Sequence, residues 1–413
     1  MKVLVLAGGY DQIGLIEELK KRNNEVILAD YFENPPAKKV ADKHYQISTL
    51  DEVAVKEVAI KEKVELITTA CTDQALLTVA KVSGELGLPT YIDYEKALAV
   101  TNKKYMKEVF IRGNIPTAKS RVFESREEFE KKKKDITYPS VVKPCDCNSS
   151  KGVIKVQNEQ ELISAVDNAF ILSRSHLVIV EDYVEGNEVS IDVWVDEEGA
   201  KVLAVSATKK MTDSRDTFTI YKSVYPVHMS MALREKIGEI SQKIADSFTL
   251  KNCPILIQAI IYGDNISVIE FSARMGGGTK YKLIEYMSGV EIMEVYVNLV
   301  LGDTTQIVAP VSSAKNIELN YVYARNGVFT SLKNFEKALL DHQIEAFYQY
   351  KECGSHIENA KTSSDRVAGF LLLADDLSEM NEKRARVVKM LDVLDECGNS
   401  MMIKSMYGGN YSD

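Results

Sequence analysis

Apolar runs of strand length alternate with amphipathic stretches from the start of the chain. KVLVLA (2–7) predicts a buried parallel strand, Gly8-Gly9 a turn, Ile13 to Lys21 a helix, and EVILAD (25–30) a second strand ending in Asp30. That order is a βαβ unit. VELITTA (64–70) adds a strand, and a helix from Asp73 to Leu86 follows, stopped by Gly87 and Pro89. Residues 1–95 are therefore expected to form a small doubly wound α/β domain with a crevice for a polar ligand at its strand ends. GGYDQIG lacks the spacing of G-x-G-x-x-G, and no Lys-Ser or Lys-Thr follows Gly14. Neither an ordinary dinucleotide site nor a P-loop is supported.

A helical segment near 94–112 carries Lys103, Lys104 and Lys107. YPSVVKP (138–144) reads as a strand ending in Lys143, CDCNSSKG (145–152) as a polar loop, and VIKVQ (153–157) as the returning strand. Two strands around such a loop make a lid whose backbone N–H groups can receive phosphates. A helix over 159–172 leads to LVIVEDYVEG (177–186) and then EVSIDVWVD (188–196), which alternates with period two. VLAVSATKK (202–210) precedes a loop over Asp213–Thr219 that is expected to be mobile and able to close over a substrate; a helix over 232–248 follows. Beyond about residue 307, NIELNYVYAR (316–325), a helix near 333–341, SDRVAGFLLLADD (364–376) and a charged helix from Glu379 to Asp395 predict a closing α+β module.

One stretch concentrates candidate chemistry. Two apolar runs between Cys253 and Gly278 flank Gly263-Asp264-Asn265, the signature of a hairpin. With those three residues as the loop, Tyr262 faces Ile266 and Gln258 faces Glu270. Ile269, Phe271 and Ala273 then point one way, and Glu270, Ser272 and Arg274 the other. Such groups are costly to bury unless they hold something, and magnesium with phosphate suits them. An ordinary amphipathic hairpin with its polar face in water satisfies the same pattern.

Composition narrows the function classes. A chain of 413 residues with 45% hydrophobic and 27% charged residues is a globular protein of several domains. A net charge of −9 argues against a nucleic-acid binder. No signal pattern and no membrane-length apolar run is present, and six cysteines in such a length fit a reducing cytoplasm. Cys145 and Cys147 form C-x-C without a second pair, so they read as loop residues rather than zinc ligands. G-x-S-x-G is absent, and His176 and His228 have no neighbours at ligand spacing.

Taken in order, GGYDQ and TDQ, NKKYMK, VVKP with its serine-lysine-glycine loop, EDYVEGNEVS and IEFSARMGGG resemble the ATP-grasp superfamily over nearly the whole chain. The chain is similar to the group of carbamoyl phosphate synthetase halves, phosphoribosylamine–glycine ligase and the L-amino-acid (dipeptide) ligases. The resemblance implies an N-terminal α/β domain (1–95), linker helices and a lid (96–187), a central subdomain with the metal hairpin (188–306) and a C-terminal α+β module (307–413). It implies ATP and magnesium, with manganese as a substitute, and small carboxylate and amine substrates. No nucleic acid or membrane is expected as partner; a homodimer is the oligomer considered.

Residue by residue, Lys103 and Lys143 match the phosphate-binding lysines, and Ser149, Ser150, Lys151 and Gly152 the loop over the β- and γ-phosphates. Glu181, Tyr183 and Val184 match the adenine-pairing strand, and Glu188 the ribose carboxylate. Gln258, Glu270 and Ser272 match metal-ligand positions, and Arg274 the arginine on the transferred phosphoryl group. Lys143, Lys151 and Arg274 would thus carry catalysis, while Gly276, Gly277 and Gly278 leave room beside Arg274 for a small carboxylate. Gln258 for glutamate and Ser272 for asparagine depart from the usual pattern. The function implied is an ATP-dependent carboxylate–amine ligase working through an acyl phosphate. Phosphoribosylamine–glycine ligase and an ATP-binding protein that has lost its chemistry are the alternatives.

Overall fold

The computed structural model describes residues 1–147, 150–211, 219–303, 307, 310–358 and 362–408. In the first unit, strands β1 (Lys2–Leu6), β2 (Glu25–Asp30), β3 (Lys43–Gln46) and β4 (Leu66–Thr68) form a parallel sheet in the order β3-β2-β1-β4. Helices α1 (Asp11–Lys21), α2 (Glu52–Glu62) and α3 (Asp73–Leu86) cover it. β1 and β2 carry continuous buried apolar residues, as a strand covered on both faces requires. The turn after β1 is closed: Gly8 N donates to Asp30 Oδ2 at 2.6 Å, and a Cβ on Gly8 would lie 2.5 Å from Pro35 Cβ. Pro35 packs directly against Gly8, which leaves the turn no room for a side chain.

The segment expected as one helix near 94–112 is two helices. α4 (Tyr94–Thr101) ends at Asn102, whose extended backbone breaks the helix and whose side chain caps α5 (Lys103–Arg112) by accepting from Lys104 N at 3.0 Å. The break makes Lys103 the first residue of a new helix, turned toward the next layer.

That layer is a four-stranded antiparallel lid in the order β5-β8-β6-β7, built from β5 (Ser120–Phe123), β6 (Ser140–Pro144), β7 (Ile154–Val156) and β8 (Val178–Asp182). α6 (Arg126–Lys132) and α7 (Glu159–Leu172) back it, and Phe123, Phe129, Val142, Leu162 and Val166 make its own core.

The central sheet has eight strands. β9 (Asn187–Asp196), β10 (Gly199–Lys210), β11 (Ile220–Tyr225), β12 (Cys253–Tyr262), β13 (Asn265–Ser272) and β14 (Asn316–Val322) run in the order β13-β12-β9-β10-β11-β14, and Ala368–Ala374 and Ala346–Gln349 extend the far side. Strands after residue 307 thus continue the sheet that carries the hairpin. α8 (Met231–Ser247), α9 (Lys280–Ser288), α10 (Ile292–Leu301), α11 (Phe335–Leu340) and α12 (Leu377–Met390) pack around it. α12 is shorter than the charged pattern predicts: it stops at Met390, and Asp392–Leu394 pairs with Ser331–Lys333 instead. No described helix is long and apolar enough to cross a membrane.

The hairpin differs from its sequence reading in a compensating way. The turn is two residues, so Tyr262 pairs with Asn265 and Ile261 with Ile266. A bulge between Gln258 and Ala259 on one strand and Val268 and Glu270 on the other then restores the offset, and Gln258 does face Glu270. Ile269 is the extra residue. It leaves the core face held by Val268, Phe271 and Ala273 and joins the wall of the cleft described next.

Candidate active site

Between the lid and the edge of the central sheet lies a cleft of about 310 Å³. Of the residues singled out in the sequence, Lys103, Lys143, Ser150, Glu181, Tyr183, Val184, Glu188, Gln258 and Glu270 line it. Val141, Val153, Ile260 and Ile269 supply apolar wall near the β8–β9 connection. Lys151, Gly152, Ser272, Arg274 and the glycine run lie outside it, and Ser149 and the loop over 213–218 fall outside the described residues. Gly152 has a packing reason: its φ is +73° and a Cβ would sit 2.7 Å from Leu172 Cδ1, so the loop lies directly on α7.

The floor is a set of matched charges. Glu181 on β8 receives Lys143 Nζ at 2.5 Å and Lys107 Nζ at 2.9 Å, one on each carboxylate oxygen. Burial alone would raise the Glu181 carboxyl, but the two ammonium groups override it and hold it at about 2. Glu270 receives Lys103 Nζ at 3.0 Å; against burial, Lys103 and then Lys143 keep its carboxyl below the ordinary range. Glu188 is paired with Lys210 at the mouth. Lys107 and Lys210 are functional candidates that the sequence reading did not assign. The signal for Lys107 was available: it follows Lys103 by four residues, which puts both on one face of α5.

Arg274 takes part in a second cluster, between the first unit and the central sheet. Its Nε donates to Asp73 Oδ1 at 2.9 Å, its Nη2 to Asp73 Oδ2, and its Nη1 to the Met275 carbonyl at 2.7 Å. Asp73 stands at the first turn of α3, so TDQ contributes the arginine's counter-ion as well as a helix start. Asp11, from GGYDQ, accepts from Gly278 N at 2.9 Å and Thr279 N at 2.6 Å. Burial pushes its carboxyl up, with those two backbone donors and then Arg366 and Arg274 opposing. The glycine run is therefore bound to the first unit. Gly278, at φ +73°, lies under the Arg366 guanidinium, which itself stacks 3.6 Å from the Tyr321 ring centroid. Lys280, just beyond, is buried against Ser206 and sits 3.3 Å from Asp192.

The residues present fit magnesium bound together with phosphates. Gln258 and Glu270 face each other across adjacent strands and offer oxygen ligands, which this hard cation prefers. Among the described residues no cluster of three or more His, Cys, Asp or Glu side chains could cage a metal alone, so other ligands would have to come from nucleotide and water.

Comparison with known proteins agrees with this geometry. The profile of the ATP-grasp domain matches residues 136–282, from the lid strand through the hairpin to the glycine run. Over that stretch the chain is similar to ATP-grasp domains. Among curated relatives, formate-dependent phosphoribosylglycinamide formyltransferase of Sulfurisphaera tokodaii is 26% identical over 396 residues, covering 90% of this chain and 97% of the relative. Phosphoribosylamine–glycine ligase of Caldanaerobacter subterraneus is 23% identical over 415 residues, covering 95% and 96%. Carbamoyl phosphate synthase large chain of Clostridium botulinum is 24% identical over 320 residues; the match takes in 73% of this chain but 29% of that much longer protein. Among solved structures, an L-amino acid ligase from Bacillus licheniformis superposes with a TM-score of 0.77 at 16% identity, covering 96% of this chain and 98% of that one. Phosphoribosylglycinamide synthetase from Anaerococcus prevotii superposes at 0.74 and 18%, covering 96% and 99%. These superpositions show that the chain shares its fold with these structures over nearly its whole length.

Proposed function

We propose that the protein is an ATP- and magnesium-dependent carboxylate–amine ligase that joins a small acid, such as an amino acid, to an amine through an acyl phosphate, releasing ADP and phosphate. The observation that carries the reading is the convergence of Lys103, Lys143, Glu188, Gln258 and Glu270 on one cleft of the ATP-grasp domain. The backbone at Tyr183 and Val184 would pair with adenine, and the Glu188 carboxylate would take the ribose. Lys103 and Lys143 would exchange their carboxylate partners for phosphate oxygens, with Ser150 and Lys151 closing from the lid. Magnesium, or manganese in its place, would neutralise charge on the transferring phosphoryl group while Gln258 and Glu270 hold it. The acid would approach from the side of the glycine run, where Arg274 is held by Asp73 at the boundary of the two units. A water-poor cleft protects the acyl phosphate until the amine displaces phosphate.

The test is an ADP-release screen across acid and amine pairs, with Glu270→Ala as the control. Release above that control for at least one pair is the expected result, and none for any pair overturns the reading. The end-to-end match to phosphoribosylamine–glycine ligase favours a second reading in the same reaction class. Turnover of phosphoribosylamine with glycine, and of no amino-acid pair, would select it. A nucleotide binder without chemistry would bind ATP in calorimetry and release no phosphate in either screen.

A further inference from the structure

Every charge in the cleft that is expected to meet nucleotide or metal has a partner inside the protein. Lys103 is the case with consequences. Its backbone N donates to the Cys145 carbonyl at 2.9 Å, which fixes the start of α5 against the lid loop. Its Nζ donates to the Cys147 carbonyl at 2.9 Å and lies 3.0 Å from Glu270 Oε2. The side chain is only 9% exposed, so these two oxygens are the ammonium's main partners. The carboxylate oxygen it occupies belongs to the one acid on the hairpin floor that faces Gln258.

We infer that Lys103 holds the metal's place on Glu270 and yields it only when phosphate offers the ammonium a new partner, so that the cleft takes metal and nucleotide together. This rests on the nucleotide site proposed above. A divalent cation settling on Glu270 with an ammonium 3.0 Å from Oε2 of the same carboxylate meets like-charge repulsion, so the ammonium weakens binding of metal alone. Metal alone must therefore displace Lys103 into a cleft whose carboxylates Glu181 and Glu188 already have lysine partners. Metal arriving with a nucleotide faces no such cost: the phosphates accept the ammonium, and Glu270 turns from a lysine partner into a metal ligand. Lys143 does not gate in this way. It rests on Glu181, on the neighbouring sheet, and Lys107 keeps that carboxylate neutralised when Lys143 leaves.

The experiment is Mn2+ titration of the purified, nucleotide-free full chain by electron paramagnetic resonance, with and without ADP. In the unmodified protein ADP is expected to tighten Mn2+ binding by about tenfold or more, within the usual range of coupling between two sites. Lys103→Met should tighten Mn2+ binding without ADP by about the same factor and erase most of the gain from ADP. Lys103→Gln, which keeps a donor for the Cys147 carbonyl, should do the same if the methionine variant fails to fold. Lys143→Met removes a nearby positive charge but leaves the Lys103–Glu270 pair, and should change metal-only affinity by less than about threefold. The inference is overturned if both Lys103 variants leave metal-only binding unchanged or weaker, or if Lys143→Met tightens it equally. A protein that binds Mn2+-ADP and gives either of those results loses this inference alone; one that binds neither Mn2+ nor ADP loses the nucleotide reading with it.

Discussion

Glu181→Gln removes the carboxylate that pairs with both Lys107 and Lys143, whose side chains are 4% and 6% exposed. The substitution keeps shape and leaves two buried ammonium groups without their counter-charge. The Glu181 carboxyl lies at about 2 against an ordinary 4.5. At about 1.4 kcal/mol per unit, the charged form is favoured by on the order of 3 kcal/mol in the folded state. Removing one partner from a buried ion pair commonly costs about 3–5 kcal/mol, which agrees. Because the folded value is depressed, this stability is present above pH 4.5 and lost as pH falls toward 2. The gap between the two proteins should therefore be about 3 kcal/mol at pH 7 and less than half of that at pH 3. Urea unfolding can follow it through Trp194, the sole tryptophan, which is buried on β9, with circular dichroism as the second probe of a single transition. A gap below about 1 kcal/mol at pH 7, or one of equal size at both pH values, would refute the electrostatic account.

Two further substitutions test the architecture around the site. Gly278→Ala places a Cβ at a left-handed residue, against Arg366 Nη1 and 3.1 Å from Tyr321 Cε1; a loss of about 2–3 kcal/mol is expected in the same urea assay. Gly277→Ala meets nothing closer than 3.4 Å and should cost under about 1 kcal/mol; equal losses would show that the glycine run matters for another reason. Asn102→Ala removes the cap of α5 and should cost about 1 kcal/mol while weakening ADP binding in calorimetry, since Lys103 is the next residue. Unchanged ADP affinity would separate the helix start from the placing of Lys103.

Local signals carried much of this structure. The end of α3 at Leu86 follows from Gly87 in the left-handed conformation, and the start of α7 at Glu159 from the Asn158 cap. What local pattern could not carry is any quantity set by a partner. The hairpin shows this well: a three-residue turn predicts the Gln258–Glu270 pairing, yet the pairing arises from a two-residue turn and a bulge, because the alternation of Ile266, Val268, Phe271 and Ala273 must stay on the core. The break at Asn102 lies between two amphipathic helical stretches and is decided by its cap and by Lys103 meeting the lid. Arg274 was assigned to phosphate from its place in a motif, and the counter-ion that holds it, Asp73, is 201 residues away in sequence. Helical spacing put Lys107 on the face of Lys103, but its partner Glu181 came only from the fold.

The pairing of β11 with β14, from Tyr225 with Ile317 to Lys222 with Asn320, has a consequence for anyone who rebuilds this chain. The C-terminal hundred residues look like a cassette that could be exchanged as a unit. Cutting before β14, however, would strip β11 of its neighbour and leave a row of unmet N–H and C=O groups along a long sheet. Exposed edges of that kind recruit other chains and aggregate. A successful graft would have to bring its own strand for β11, in register, before it brought any new chemistry.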